Sequence, residues 1–262
     1  MLPAMSLFPA WTLHAADGPL LATAIHHGHV IRPEIEALTA IDEDTRLREE
    51  DPFTGRFAAI VPNHLVVHRS RFEVDLNRPR DTAVYLTPEQ AWGLRPWHSP
   101  PSDETVDGSL SLYDGFYRLM AATLETMIDR HGRFVVLDIH SYNHRRNGPE
   151  GESDDPAASP TVNVGTGTVQ TRWRPVIDAF MDTVRQGRSD WSHAGENVRF
   201  RGGHFPQWIN ARFGEWGCAL AIECKKVFMD EWSGAVDDAS LEGAADVLAA
   251  AIEPVTTALE AS

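Results

Sequence analysis

Three apolar segments, each too short for a helix, run into residues that carry chemistry. Leu20–Ile25 leads to His26-His27-Gly28-His29, Phe134–Ile139 leads to His140-Ser141, and Cys218–Cys224 carries Glu223 near its end. Continuous apolar runs of this length read as strands buried on both faces. Segments of helical character lie between and around them. Tyr113–Arg130 places Phe116, Leu119, Met120, Leu124, Met127 and Ile128 on one side, with Gly132 as a stop. Trp173–Arg185 is amphipathic, Phe205–Phe213 reads as helix, and Leu241–Leu259 reads as one long Ala-rich closing helix. Pro33–Ala40 starts with a proline suited to a first helical turn, and Asp42–Glu50 reads as a solvated helix face. Leu65–Val74, Thr161–Val164 and Val198–Phe200 are predicted strands. Two further segments read as loops: Trp97–Gly108, with its Pro100-Pro101, and Arg145–Ser159, a candidate mobile loop. The alternation predicts an α/β fold over residues 1–262 as a single domain: a mixed, mostly parallel sheet with helices on both faces. Sites in such sheets gather at the carboxyl ends of the strands, where the polar clusters sit.

Composition narrows the function classes. The chain has 262 residues, 42% hydrophobic and 23% charged, which is ordinary globular material. A net charge of −15 argues against broad nucleic-acid or anionic-membrane contact. No apolar run approaches the roughly 20 residues of a membrane span. Met1–Trp11 has no basic start and no long apolar core, which argues against a signal peptide. Cys218 and Cys224 are the only cysteines, too few for a disulfide framework, and a cytoplasmic location is expected. Among the 23 cationic residues only Lys225 and Lys226 are lysines, and an arginine-dominated set suits bidentate carboxylate recognition. Eight Trp leave room for a homo-oligomer interface, although a buried core is the default place for them.

Four clusters are candidates for chemistry. In His26-His27-Gly28-His29, His26 and His29 are three apart on a predicted turn and can face one point, as zinc ligands do; capping or surface histidines are the competing reading. In Asp138-Ile139-His140-Ser141, His140 is a distant further ligand, and Asp138 shares its side of the strand and can hold its ring. Arg69-Ser70-Arg71 and Asp75-Leu76-Asn77-Arg78 offer a fork of donors for a substrate carboxylate, against plain surface ion pairing. Glu223 ends an apolar strand, so desolvation should raise its pKa and suit it to general base work; pairing with Lys225 or Lys226 is the alternative. Asn163-Val164-Gly165-Thr166-Gly167 and Arg201-Gly202-Gly203-His204 fit no phosphate-binding loop and read as pocket walls, with His204 a candidate substrate contact. A G-x-S-x-G nucleophile elbow is absent.

These residues, in this order, resemble the N-formylglutamate amidohydrolases, a family grouped with aspartoacylases and zinc carboxypeptidases. Ile25-His26-His27-Gly28 is similar to the family's P-H-S-G turn, and Ser70–Pro79 to its S-R-x-x-x-D-x-N-R-P. Leu137–Ser141 resembles its D-x-H-S. Ile222-Glu223 with Phe228-Met229-Asp230-Glu231 resembles its Glu strand and Y-M-D-E, and Asn163–Thr166 its turn before the middle helix. The likeness spans about Thr23 to Glu231. It implies a zinc-carboxypeptidase-like fold and one Zn2+ on His26, His140 and either His29 or Asp51. His29 stands where wider relatives carry the Glu of H-x-x-E, and the family often has an Asp after its first helix. It also implies that Arg71, Asn77 and Arg78 bind a substrate carboxylate and that Glu223 is the general base. His27 replaces the family's Ser.

The expected activity is zinc-dependent hydrolysis of the amide of a small acidic N-acyl amino acid, N-formylglutamate being one candidate. Two competitors remain at this level. A non-haem iron oxygenase could use His26, Asp51 and His140 as a two-histidine, one-carboxylate set. A binding module that keeps the pocket without turnover is suggested by the unusual residues at 27 and 29.

Overall fold

The computed structural model describes residues 9–187 and 190–262; the first eight residues, on which part of the signal-peptide reading rests, lie outside the described residues. The elements in chain order are β1 (Trp11–His14), β2 (Leu20–Ala24), α1 (Pro33–Glu36), α2 (Glu43–Glu49), α3 (Thr54–Ala58), β3 (His64–Val67) and α4 (Asp103–His131). They continue with β4 (Phe134–Tyr142), β5 (Val162–Gly165), α5 (Arg174–Gln186), β6 (Ala194–Glu196), α6 (His204–Phe213), β7 (Gly217–Lys225), α7 (Asp238–Ala250) and α8 (Ile252–Ala261). The seven strands form one sheet in the order β1-β3-β2-β4-β7-β5-β6. Its centre, β3-β2-β4-β7, is parallel, while β1 joins β3 and β5 joins β7 antiparallel.

Both faces are covered, as the continuous apolar strands require. Leu20, Ala22, Ala24, Val135, Leu137, Ile139, Leu220 and Ile222 pack against α3, α5, α7 and α8. The alternate residues Leu21, Ile25, Phe134, Val136 and Ala219 pack against α4 and α6. The period of two puts Asp138, His140 and Glu223 on the second face, beyond the apolar stretch and at the strand ends. Because β2, β4 and β7 are parallel, those ends lie along one edge of the sheet. No helix among the described residues is long and apolar enough to cross a membrane.

Several local expectations are corrected. The region predicted as a loop through Gly108 contains the start of α4 at Asp103, where the Ser102 hydroxyl accepts from Thr105 N–H and Asp103 and Glu104 fill the first turn. The expected single closing helix is two, broken at Ala251. Pro254 in the first turn of α8 has no N–H to continue the ladder. The predicted strand Leu65–Val74 ends at Val67; Arg69 and Ser70 make only isolated bridges to Val30 and Gly28. Val198–Phe200 is not a strand. The buried Asn163 side chain satisfies that backbone instead, accepting from Arg199 N–H at 2.9 Å and donating to Phe200 C=O at 2.9 Å. Pro33–Ala40 is helical only to Glu36. The edge strand β1, with its half-buried residues, had no distinct signal.

Gly28 lets the chain leaving β2 lie against the segment after β3: a Cβ there would sit 2.1 Å from the His68 carbonyl carbon. Gly28→Ala is therefore expected to cost about 1–3 kcal/mol through forced backbone separation. A thermal melt should show the midpoint several degrees lower, and an unchanged midpoint would contradict this packing.

Candidate active site

His26 follows β2 and is 2% exposed. Its Nε2 lies 2.7 Å from Asp75 Oδ1, while its Nδ1 is buried with no hydrogen-bond partner. His140, on β4, places Nε2 2.9 Å from Asp138 Oδ2 and Nδ1 2.9 Å from Asp51 Oδ2. Asp138 is in turn held by the Thr23 hydroxyl, its register partner on β2, at 2.8 Å. Asp51 is brought in by its own backbone, whose N–H donates to the His26 carbonyl at 2.9 Å. One ligand atom from each of His26, Asp51 and His140 lies within 4.8 Å of the others. Both imidazoles turn their Nδ1 toward Asp51, that of His26 lying 3.5 Å from Oδ2 and beyond hydrogen-bond geometry, and their Nε2 toward a buried carboxylate.

The chemistry of this set fits a divalent cation. Carboxylates on the outer ring nitrogens fix the tautomers and raise ligand basicity, as at histidine metal sites generally. The unpartnered Nδ1 of His26 is a buried group lacking what it needs. Burial pushes the Asp51 carboxyl up, but the hydrogen bond to His140 and the charge of the two facing rings outweigh it and hold the carboxyl well below its usual range. Burial likewise favours neutral His140, and the neighbouring Asp138, followed by Asp51, drives its pKa well above normal. Asp51, Asp75, Asp138 and Glu223 are crowded around two rings, so positive charge is in demand there.

His29 does not join this group. Gly28 and Val30 bridge to Ser70 and Arg69, so the chain runs extended here rather than turning, and residues an odd number apart face opposite ways. Its Nδ1 pairs with the buried Glu50 and its Nε2 lies 3.4 Å from Glu43. The bond to Glu50 raises its pKa despite partial burial. His27 also turns away, accepting from Gly55 N–H at 3.3 Å.

Glu223 lies opposite His140 in the β4–β7 register and opposite Asn163 in the β5–β7 register. It opens partly onto the same cavity, and burial, moderated by His140, pushes its pKa up to about 7. The lysines considered as its partners are engaged elsewhere. Lys226 Nζ donates to the Arg48 and Glu50 carbonyls at 2.6 and 2.7 Å, and Lys225 Nζ lies 3.4 Å from the Ser159 carbonyl.

The cavity over these residues has a volume of about 410 Å3. Arg71, Asn77 and Arg78 line it. Arg71 donates to Asp75 Oδ2 at 2.9 Å, Tyr85 Oη at 3.3 Å and the Glu49 carbonyl at 3.3 Å. Arg78 Nε lies 3.8 Å from Asp75 Oδ2, and its Nη2 donates to the Gln90 carbonyl at 3.1 Å. Asn77 Oδ1 accepts from Phe205 N–H at 2.9 Å. His204 is corrected: the wall is made by Arg201, Gly202 and Gly203, while the His204 ring lies beside Tyr117, centroids 6.0 Å apart. Gly203 packs so closely on Asn77 that a Cβ would meet its amide at 2.3 Å, leaving the next side chain to turn outward at the start of α6. Sequence reasoning missed Trp92, Arg146 and Arg199 as lining residues. It also missed Asp75 as the partner of His26, 49 residues away. Nothing local signals that pairing.

A family model described as N-formylglutamate amidohydrolase matches residues 18–229. The chain belongs to that family. A curated N-formylglutamate deformylase from Pseudomonas aeruginosa is 27% identical over 202 residues, covering 71% of this chain and 73% of the relative. Among solved structures, an N-formylglutamate amidohydrolase from Ralstonia eutropha superposes with a TM-score of 0.73 at 17% identity, covering 96% of this chain and 97% of that one. A gene product from Agrobacterium tumefaciens gives 0.67 at 16% identity, covering 96% and 95%. These two likenesses concern the fold, which this chain shares with both structures along nearly its whole length.

Asp75 is the shared carboxylate of this arrangement, taking His26, Arg71, the Tyr85 hydroxyl and Asn77 N–H. Asp75→Asn should cost about 3 kcal/mol, since it leaves the largely buried Arg71 guanidinium without its counter-charge. Urea denaturation measures this, and a wild-type midpoint would show that the hub does not hold the site.

Proposed function

We propose that the protein hydrolyses the amide of a small acidic N-acyl amino acid, N-formylglutamate first among them, at a centre holding one zinc ion. The observation that carries this reading is the convergence of the two Nδ1 atoms and Asp51 beside a desolvated Glu223. Family membership supports the same reaction class. His26, His140 and Asp51 would hold the ion, with Asp75 and Asp138 behind the rings. When bound, zinc polarises an acyl oxygen and lowers the pKa of water toward about 7.

The chain's own groups supply the rest. Arg71 and Arg78 hold a substrate carboxylate, with the Asn77 side chain in the same wall. Their edges offer paired N–H donors that match a planar carboxylate. Glu223 takes a proton from the attacking water as its oxygen bonds to the acyl carbon. The same carboxyl then gives that proton to the amine nitrogen as the C–N bond breaks. The products are a free acid and an amino acid. The arginine-rich walls offset the repulsion that the acidic exterior exerts on an anionic substrate.

The same three ligands would suit a non-haem iron centre, but that chemistry has no use for a carboxyl poised beside the ligands for proton transfer. The case for a non-catalytic pocket rested on positions 27 and 29, and both side chains lie outside the cavity.

Glu223→Gln should keep fold and bound zinc but lose at least about 10²-fold in turnover of N-formyl-L-glutamate. Near-normal turnover would remove Glu223 from the mechanism. His140→Ala and Asp51→Ala should purify without stoichiometric zinc, whereas His29→Ala should retain it, by elemental analysis. A chelator should abolish wild-type turnover and added zinc restore it; full activity without metal would end the zinc reading.

A further inference from the structure

Trp92 stands on the cavity wall with features that packing alone does not require. The residue is 47% exposed, although Tyr85 and Phe72 offer its indole an apolar seat. Its backbone is left-handed, φ 54° and ψ 30°, a conformation disfavoured for a bulky residue and natural for glycine. Strained backbone of this kind collects at ligand clamps. The indole face lies 4.7 Å from the Arg71 guanidinium and 5.7 Å from that of Arg78. The turn that ends at Trp92 also holds Arg78 through the Gln90 carbonyl.

We propose that Trp92 is a positioning residue that sets carboxylate recognition in this site. Its indole is a shelf facing both guanidiniums, directly under Arg71 and shared, for Arg78, with the Tyr85 ring 5.2 Å away. Cations stack on the face of an indole and keep their in-plane N–H groups free. Asp75, Tyr85 and the Glu49 carbonyl hold Arg71, Asp75 and the Gln90 carbonyl hold Arg78, and the indole flanks both; the N–H groups not spent on these partners are the donors for a carboxylate in the cavity that both arginines line. The shelf acts on ligand binding, not on the proton transfers at Glu223. This inference rests on the reading of Arg71 and Arg78 as the carboxylate clamp.

The test compares wild type, Trp92→Phe and Trp92→Gly. Glycine keeps the left-handed turn without strain, so it isolates the indole from the backbone; phenylalanine keeps an aromatic face. With N-formyl-L-glutamate, Trp92→Gly should raise KM by about tenfold or more while kcat stays within about threefold. Trp92→Phe should restore KM to within about threefold of wild type. An unchanged KM in Trp92→Gly overturns the proposal. So does a fall in kcat that tracks KM in both variants, the mark of general disruption. Calorimetric titration with L-glutamate reads the clamp without turnover. Tight binding by wild type, lost in Trp92→Gly and kept in Trp92→Phe, supports the shelf even if no variant hydrolyses the formyl compound, in which case the hydrolytic reading alone fails. Equal binding by all three overturns the shelf whatever the turnover.

Discussion

Asp75 joins the two halves of this site. One of its oxygens accepts from His26 and from the Asn77 backbone; the other faces Arg71, Arg78 and the Tyr85 hydroxyl. Burial works against a charged carboxyl here, yet the charge of Arg71, followed by that of His26, holds its pKa well below the usual range. A fixed anion at that point sets the tautomer of His26 and the direction of Arg71 together. The centre that would hold the metal and the arginines proposed to clamp a substrate carboxylate are therefore built on one side chain. Placing them independently would not keep their separation constant.

The parts of the site legible in the sequence are those carried by strands. His140 and Asp138 follow from the period of two along β4, and Glu223 from the same period along β7. An apolar run that ends in a polar residue must put that residue at the sheet's edge, whatever the surroundings. His26 follows for the same reason. The choice between His29 and Asp51 was not legible. It turns on whether the chain after His26 curls or extends, and extension comes from bridges to Arg69 and Ser70, some 40 residues away. Asp51 then arrives through a single backbone bond to the His26 carbonyl. Both facts are long-range and leave no periodicity behind.

The fold shows the same division. The mixed sheet and its two helical layers were readable because burial on both faces forces uniform apolar composition into the strands. What misled was backbone satisfied by side chains. Val198–Phe200 has strand composition, but Asn163 supplies its partners, so no ladder forms. The closing helix was read through Pro254 because its Ala-rich flanks favour helix on both sides. The signals for α4 were present, a Ser followed by two acids, and were obscured by the prolines just before them.

Charge distribution turns this geometry into selectivity. The chain carries −15 overall, yet arginines from three separate segments, around residues 71–78, 146 and 199–201, meet at one cavity. Arg199 is already engaged by Asp154 at 2.5 Å and flanks the Tyr142 ring. Arg71 is tied to Asp75, Tyr85 and the Glu49 carbonyl, so only the N–H groups left over on its terminal nitrogens are free for a ligand. An anion entering here meets donors already oriented by fixed partners and so spends little on reorganising them. His140 on its strand, His26 just past β2, and Asp51 between α2 and α3 are more deeply buried than Arg78 at the wall, and Glu223 lies beside His140 in the sheet. On the proposed reading, a substrate held by its carboxylate at the wall would present its acyl group where Glu223 adjoins the His26, Asp51 and His140 cluster.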